Sequence, residues 1–280
     1  MSGKHLGATT RSRIIDAPQP LLQHPPFDAS PLRRSLAVVA LLMLLDGVDV
    51  GIGLATAQAF AAEGAKVYIT GRRRERLDAA VAEIGGAATG VQGDVGNLAD
   101  LDRLFERIKR EHGRVDVLFA NAGISESFAI DAIDEAHFDR VFGANVKGMI
   151  FTVQKALPLL VSGSAVILAG SGSGSKGFPG LTVYNATKAA IRSLARTWTT
   201  ELKSRGIRVN VVSAGVIHTP AIHAFLQNAP EMETVLKQMT PLDRIGSPEE
   251  VAKTVLFLAS SESSFVAGVE LFVDGGIMAV

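Results

Sequence analysis

The sequence predicts an α/β fold in a single domain, built on a doubly wound parallel sheet of the Rossmann type. Three observations carry this. Short β-branched runs alternate with helical stretches from about residue 36 onward, and that order implies βαβ units with helices on both faces of the sheet. Apolar residues make up 47% of the 280-residue chain, which suits strands buried on both sides. A glycine cluster, Gly47 with Gly51-Ile52-Gly53, follows the first strand and opens the first helix. There it lets the backbone turn tightly and leaves helix N–H groups free for an anion.

Residues 1–35 hold Pro18, Pro20, Pro25, Pro26 and Pro31 among polar neighbours, without a hydrophobic period, and are expected to form an extended or disordered arm. The domain proper is then 36–280. Residues 36–45 are an apolar run expected to be the first strand, and 51–63 a helix ended by Gly64. A strand over 66–70 (KVYIT), a helix over 73–84 and a strand over 89–92 follow. Residues 98–111 form an amphipathic helix closed by His112-Gly113, and 115–120 (VDVLFA) the fourth strand. A long helical stretch over 138–160, a strand over 164–169, a helix over 183–205 stopped by Gly206 and a strand over 207–212 continue the alternation. A helix over 248–259 and a strand over 269–273 complete it. Residues 221–240, with Ile222, Phe225, Leu226, Met232 and Met239, are expected to form a mobile lid over a largely apolar ligand.

Composition excludes several classes of function. Lys plus Arg equals Asp plus Glu, 28 each, so the excess of cations that a general nucleic-acid binder needs is missing. With no cysteine, disulfides, thiolate nucleophiles and Cys-based metal sites are ruled out. The six histidines show no metal-ligand spacing, and no metal is expected. The run 36–45 follows Arg33-Arg34 as a signal peptide might, but roughly 20 apolar residues are needed to span a bilayer. No membrane association is expected, and the chain is expected in the cytoplasm.

Four constellations carry chemistry. The first is the glycine turn. The second is the end of the second strand, where dinucleotide folds place an acidic residue on the ribose 2′-hydroxyl. Here Gly71 stands 18 residues after Gly53, followed by Arg72-Arg73-Arg74. Without a carboxylate to repel it, a 2′-phosphate could be forked by the Arg72 guanidinium; a solvated basic helix start is the other reading. Third, Tyr184 and Lys188 lie one helical turn apart in Y-N-A-T-K, so a fixed cation faces a phenol whose pKa of about 10 is otherwise too high for proton exchange at neutral pH. Fourth, Ser171 ends the strand thirteen residues before Tyr184, at the edge where open parallel sheets bind ligands. The Gly/Ser run 170–177 reads either as part of that site or as flexible linker.

Together these residues resemble the short-chain dehydrogenase/reductase family over roughly 51–280. Gly51-Ile52-Gly53 matches its glycine turn, Asp94-Val95 its adenine-side contact, and Asn121-Ala122-Gly123 its N-A-G motif. Asn145 falls at the family's active-site asparagine, and Ser171, Tyr184 and Lys188 match its Ser…Y-x-x-x-K signature. Residues 244–251 and 273–276 look like its C-terminal pattern. The resemblance implies hydride transfer between NADP(H), or else NAD(H), and a small carbonyl or secondary alcohol. It also implies Tyr184 as general acid, Lys188 on the phenol and the nicotinamide ribose, Ser171 on the substrate oxygen, and Asn145 positioning a water beside Lys188. Ile217 and Thr219 would meet the nicotinamide carboxamide, and the partner would be a second copy of the chain, in a tetramer.

The opening departs from the family. Asp46 takes a Thr place and Asp49 falls between the glycines. A carboxylate ~5 Å from a phosphate charge costs about 3 kcal/mol at an effective dielectric near 20, roughly a hundredfold in affinity. The alternative expectation is therefore a protein of this fold that binds dinucleotide poorly and catalyses little. Residues 33–50 bear little likeness to the family's first strand. Ala120 before the N-A-G motif and Ala214 before Gly215 are milder changes.

Overall fold

The computed structural model describes residues 39–43 and 50–280. The expected arm over 1–35, both ends of the expected first strand, Gly47, Asp46 and Asp49 lie outside the described residues. In chain order the elements are β1 (Val39–Met43), α1 (Val50–Ala62), β2 (Lys66–Gly71), α2 (Arg74–Ile84), β3 (Ala88–Gln92), α3 (Leu98–His112) and β4 (Val115–Ala120). Next come α4 (Glu135–Phe142), α5 (Gly148–Ala156), β5 (Leu160–Ser171), α6 (Thr182–Glu201) and β6 (Arg208–Ala214). The chain ends through α7 (Pro220–Asn228), α8 (Met232–Gln238), α9 (Pro248–Ala259) and β7 (Glu270–Val273).

The strands form one sheet in the order β3-β2-β1-β4-β5-β6-β7, and every neighbouring pair is parallel. Alternate side chains of β4, β5 and β6 pack on opposite faces, which is why these segments read as continuous apolar runs. One face is covered by Leu101, Leu104, Phe105 and Ile108 of α3, Met149 and Val153 of α5, and Ile191 and Ala195 of α6. The other is covered by Ile52, Ala57 and Phe60 of α1, Leu77 and Ala80 of α2, and Val251, Val255 and Leu258 of α9. Strand order reverses between β1 and β4, so a crevice opens outside their carboxyl ends.

Several expected boundaries move, each for a local reason. The single helix expected over 138–160 is a rod from α4 to α5 interrupted by a π turn at Gly143–Lys147, where the Gly148 N–H reaches back to the Gly143 carbonyl. It stops at Ala156 because Pro158 cannot donate to a continuing ladder. The fifth strand begins earlier than expected, at Leu160, and runs to Ser171 itself. The helix expected to reach residue 205 ends at Glu201 and tightens into a 3-10 turn, Lys203–Arg205, before Gly206 at φ 66°. The segment expected to be a lid is two short helices, α7 and α8, parted at Ala229-Pro230, and neither has a buried residue. No helix among the described residues is long and apolar enough to cross a membrane.

Candidate active site

Ser171 is the last residue of β5, and its Oγ accepts the Ser173 N–H at 3.2 Å. The glycine run after it is not a linker. A Cβ on Gly174 would stand 2.9 Å from the Lys188 backbone carbon, and one on Gly172 would meet the Met278 sulfur at 2.9 Å. The glycines allow the loop to lie directly on α6 and on the C-terminal segment. From α6 the half-buried Tyr184 and the buried Lys188 project toward the same end of the sheet. The Lys188 ammonium donates to the Ala169 carbonyl at 2.9 Å, two residues before Ser171, and lies 5.4 Å from the Tyr184 ring centroid.

Asn145 sits in the π turn with no exposed surface. Its Oδ1 accepts the Ile124 N–H at 2.8 Å, and its Nδ2 donates to the Ile124 carbonyl at 2.9 Å and to Thr187 Oγ1 at 3.0 Å. Thr187 in turn donates to the Tyr184 carbonyl at 2.7 Å. The four residues singled out by sequence therefore belong to one framework of three elements. Two of its members, Thr187 and Ile124, escaped sequence reasoning. The one available signal for Thr187 was a hydroxyl in a helix interior immediately before Lys188.

A cleft of about 470 Å³ lies between β2, the loops after β3 and β4, and α4. Arg72, Asp94, Val95, Ala122 and Gly123, all singled out by sequence, line it together with Ile124, Glu126, Asp139 and Arg140. Asp94 is fixed at both ends: its N–H donates to Asp100 Oδ2 and its Oδ1 accepts the Gly96 N–H, each at 2.8 Å. Asn121 is buried at the end of β4. Two glycines let chain segments pack closely here. A Cβ on Gly123 would be 3.3 Å from Asn145 Oδ1, and one on Gly148 would be 2.8 Å from Val95 Cγ2.

At the opposite wall, Gly51 opens α1 so near the β6 exit that a Cβ there would stand 3.5 Å from the Thr219 Cα. Ile52 is packed in the core. Gly53 follows within α1. Thr219 caps α7, and the Ile217 side chain is core while its carbonyl accepts the Thr219 N–H at 2.7 Å. A second cavity, of about 490 Å³, is lined by Val216, Ile217, Leu242, Arg244 and the turn before Gly276. Neither cavity is lined by Ser171, Tyr184 or Lys188. Among the described residues no group of three or more His, Asp or Glu side chains could hold a metal ion.

A parallel doubly wound sheet carrying Ser, Tyr, Lys and Asn at its carboxyl edge, beside a glycine-opened helix, defines a nicotinamide-dinucleotide oxidoreductase. The comparisons agree. A family model described as enoyl-(acyl carrier protein) reductase matches residues 47–278. The chain is 48% identical to oxidoreductase asL5 of Sarocladium schorii over 237 residues, 84% of this chain and 94% of that protein. It is 34% identical to the NADP-dependent (R)-specific alcohol dehydrogenase of Lentilactobacillus kefiri, over 84% of this chain and 96% of that one. A crystal structure of a short-chain dehydrogenase/reductase from Brucella melitensis, described as a glucose/ribitol dehydrogenase, superposes with a TM-score of 0.81 at 31% identity, covering 86% and 97% of the two chains. The protein belongs to the short-chain dehydrogenase/reductase family.

Proposed function

We propose that the protein interconverts a small, largely apolar ketone and its secondary alcohol, using NADP(H) in preference to NAD(H). The observation that carries this is the hold on Lys188: its ammonium is fixed on the β5 end at 2.9 Å and sits beside the Tyr184 ring. When bound, the nicotinamide supplies or accepts hydride. In reduction Tyr184 gives its hydroxyl proton to the substrate oxygen, and the neighbouring ammonium favours the phenolate left behind. Ser171 Oγ holds that oxygen and stabilises the charge developing on it. Asn145, clamped through Ile124 and Thr187, orders the water that connects Lys188 to solvent.

The preference for NADP(H) is supported by Arg72 at the cleft and by Gly71 where a carboxylate would disfavour a 2′-phosphate. Gly51, Gly53, Asp94, Val95, Asn121, Ala122, Gly123, Ile217 and Thr219 are the other residues proposed to hold the cofactor. Apolar substrates are favoured by Phe225 on α7 and Met239 just after α8, 45% and 44% exposed. Phe138 and Phe142, stacked at 4.3 Å on α4 with Phe138 partly exposed, favour a homo-oligomer, by family habit a tetramer. Tyr184→Phe tests the mechanism. Turnover should be lost while NADPH affinity stays within a few fold, since general acid catalysis contributes roughly 10²–10⁴-fold. Retention of more than about a tenth of the wild-type kcat would overturn the assignment.

A further inference from the structure

The loop that leaves β4 is tied to the site at both ends. At Ile124 it holds Asn145 by the two hydrogen bonds described above. At Phe128 its N–H donates to the Gly180 carbonyl at 2.9 Å, in the turn that leads into α6. Midway along it stands Glu126. Its Oε2 receives His137 Nδ1 and Arg140 Nη2, each at 3.0 Å, and its Oε1 receives Arg140 Nε at 3.4 Å. His137 is 1% exposed, its ring stacks on Phe128 at 4.1 Å, and its backbone N–H is held by Asp134 Oδ1 at 2.7 Å.

The chemistry of this cluster is constrained. Arg140, with His137 beside it, holds the Glu126 carboxyl below the usual carboxylate range. An ionised carboxylate only accepts hydrogen bonds, so His137 carries a proton on Nδ1. The other charges nearby are Asp134 at the start of α4, and Asp139 and Arg72, which line the same cleft. Glu126 and Arg140 are partly exposed, at 30% and 52%, so their ion pair adds little to global stability. What it fixes is the course of five residues between Asn145 and the turn before Tyr184.

We infer that Glu126 is a positioning residue for the proton chemistry: clamped to α4 by His137 and Arg140, it holds the loop from which Ile124 orients Asn145. The inference rests on the roles proposed above for Asn145, Tyr184 and Lys188. A framework loosened at Glu126 lets Asn145 and, through Thr187, the start of α6 shift, and displacements of about 1 Å near reacting groups lower rates by up to about 10²-fold.

The test compares Glu126→Gln, Glu126→Asp and Tyr184→Phe in the full chain, using the ketone that wild type reduces fastest from a panel. Glutamine keeps the volume but turns an N–H toward donors. The expected result is a kcat lower by about tenfold or more, with the pH profile of kcat displaced. The melting temperature should be almost unmoved, and amide exchange should quicken over residues 122–128. Aspartate, which keeps the charge, should recover part of the loss. Should Glu126→Gln aggregate, Arg140→Met at an exposed side chain is expected to give the same signature. Wild-type kcat, pH profile and exchange in these variants, with Tyr184→Phe inactive, overturns the clamp alone. An active Tyr184→Phe overturns both the clamp and the mechanism on which it rests.

Discussion

Replacing Asn145 by alanine separates the framework from the chemistry, because its structural cost can be worked out independently of any catalytic role. The side chain is fully buried and makes three hydrogen bonds, at 2.8, 2.9 and 3.0 Å. Alanine leaves the Ile124 N–H and carbonyl without their partner, while Thr187 keeps its bond to the Tyr184 carbonyl. An orphaned buried polar group costs roughly 1–3 kcal/mol. Ile124 is only half-buried, so water recovers part of this and the two groups together should cost about 2–3 kcal/mol. In a domain of this size each kcal/mol lowers Tm by about 2–4 °C, giving an expected fall of roughly 4–12 °C. Thermal unfolding followed by circular dichroism, without cofactor, reads it directly. A fall of less than about 2 °C would mean that Asn145 does not hold the loop after β4 as described. The kcat of the same variant should fall much further than this loss of stability accounts for at the assay temperature.

Three further outcomes follow from single features. Arg72→Ala should weaken NADPH by about tenfold to a hundredfold, the worth of a charged hydrogen bond pair, and leave NADH nearly unchanged; parallel fluorescence titrations decide, and a wild type that prefers NADH refutes the assignment. Glu250 is held at a pKa of about 2, first by the Arg244 guanidinium and then by the Ser247 N–H in the box that caps α9. Its folded value lies below the ordinary carboxyl value of 4.5, so its contribution is complete above that pH and is lost as pH falls toward 2. Unfolding measured between those limits should be less pH-dependent in Glu250→Gln, and an unchanged slope would count against the pair. Gly174→Ala should lower kcat and destabilise by about 1–3 kcal/mol, because its Cβ meets backbone of Lys188 and Ala189 that cannot yield; an active, fully stable variant would show that the loop does not need to lie on α6.

What the sequence made legible was whatever period and spacing encode locally. The alternation of strands and helices gave the sheet, and Tyr184 with Lys188 at one helical turn gave the paired side chains on α6. Gly113 and Gly206 stop their helices in the left-handed conformation that their position suggested. The contacts that escaped join residues with no common period. Glu126 and His137 are 11 apart, and Asn145 and Thr187 are 42 apart. Each pair meets only because α4, the π turn and α6 converge at the edge of the sheet. The glycine run after Ser171 was ambiguous for a related reason. A glycine chosen for flexibility and one chosen for close approach look alike in sequence, and only the nearness of the Lys188 backbone distinguishes them.

The π turn shows why the break in the long helix and the placement of Asn145 are one fact. A regular α-helix advances about 100° per residue, with its carbonyls taken four residues on. Here the Gly143 carbonyl is taken by Gly148, five residues on, which inserts one residue into the turn and swings the following segment by that angle. Upstream of the insertion His137 and Val141 face the protein, and downstream Met149 and Val153 do. Both helices thus keep their apolar faces inward despite the extra residue between them, and Asn145 is the residue for which the ordinary ladder is relaxed. Its amide turns inward and meets Ile124 on one side and Thr187 on the other. A polar side chain buried at such a point is stable only when fully hydrogen-bonded, which the two partners provide. The local irregularity that defeats a periodic reading of residues 138–160 therefore lets the asparagine link the loop after β4 to the helix that carries Tyr184 and Lys188.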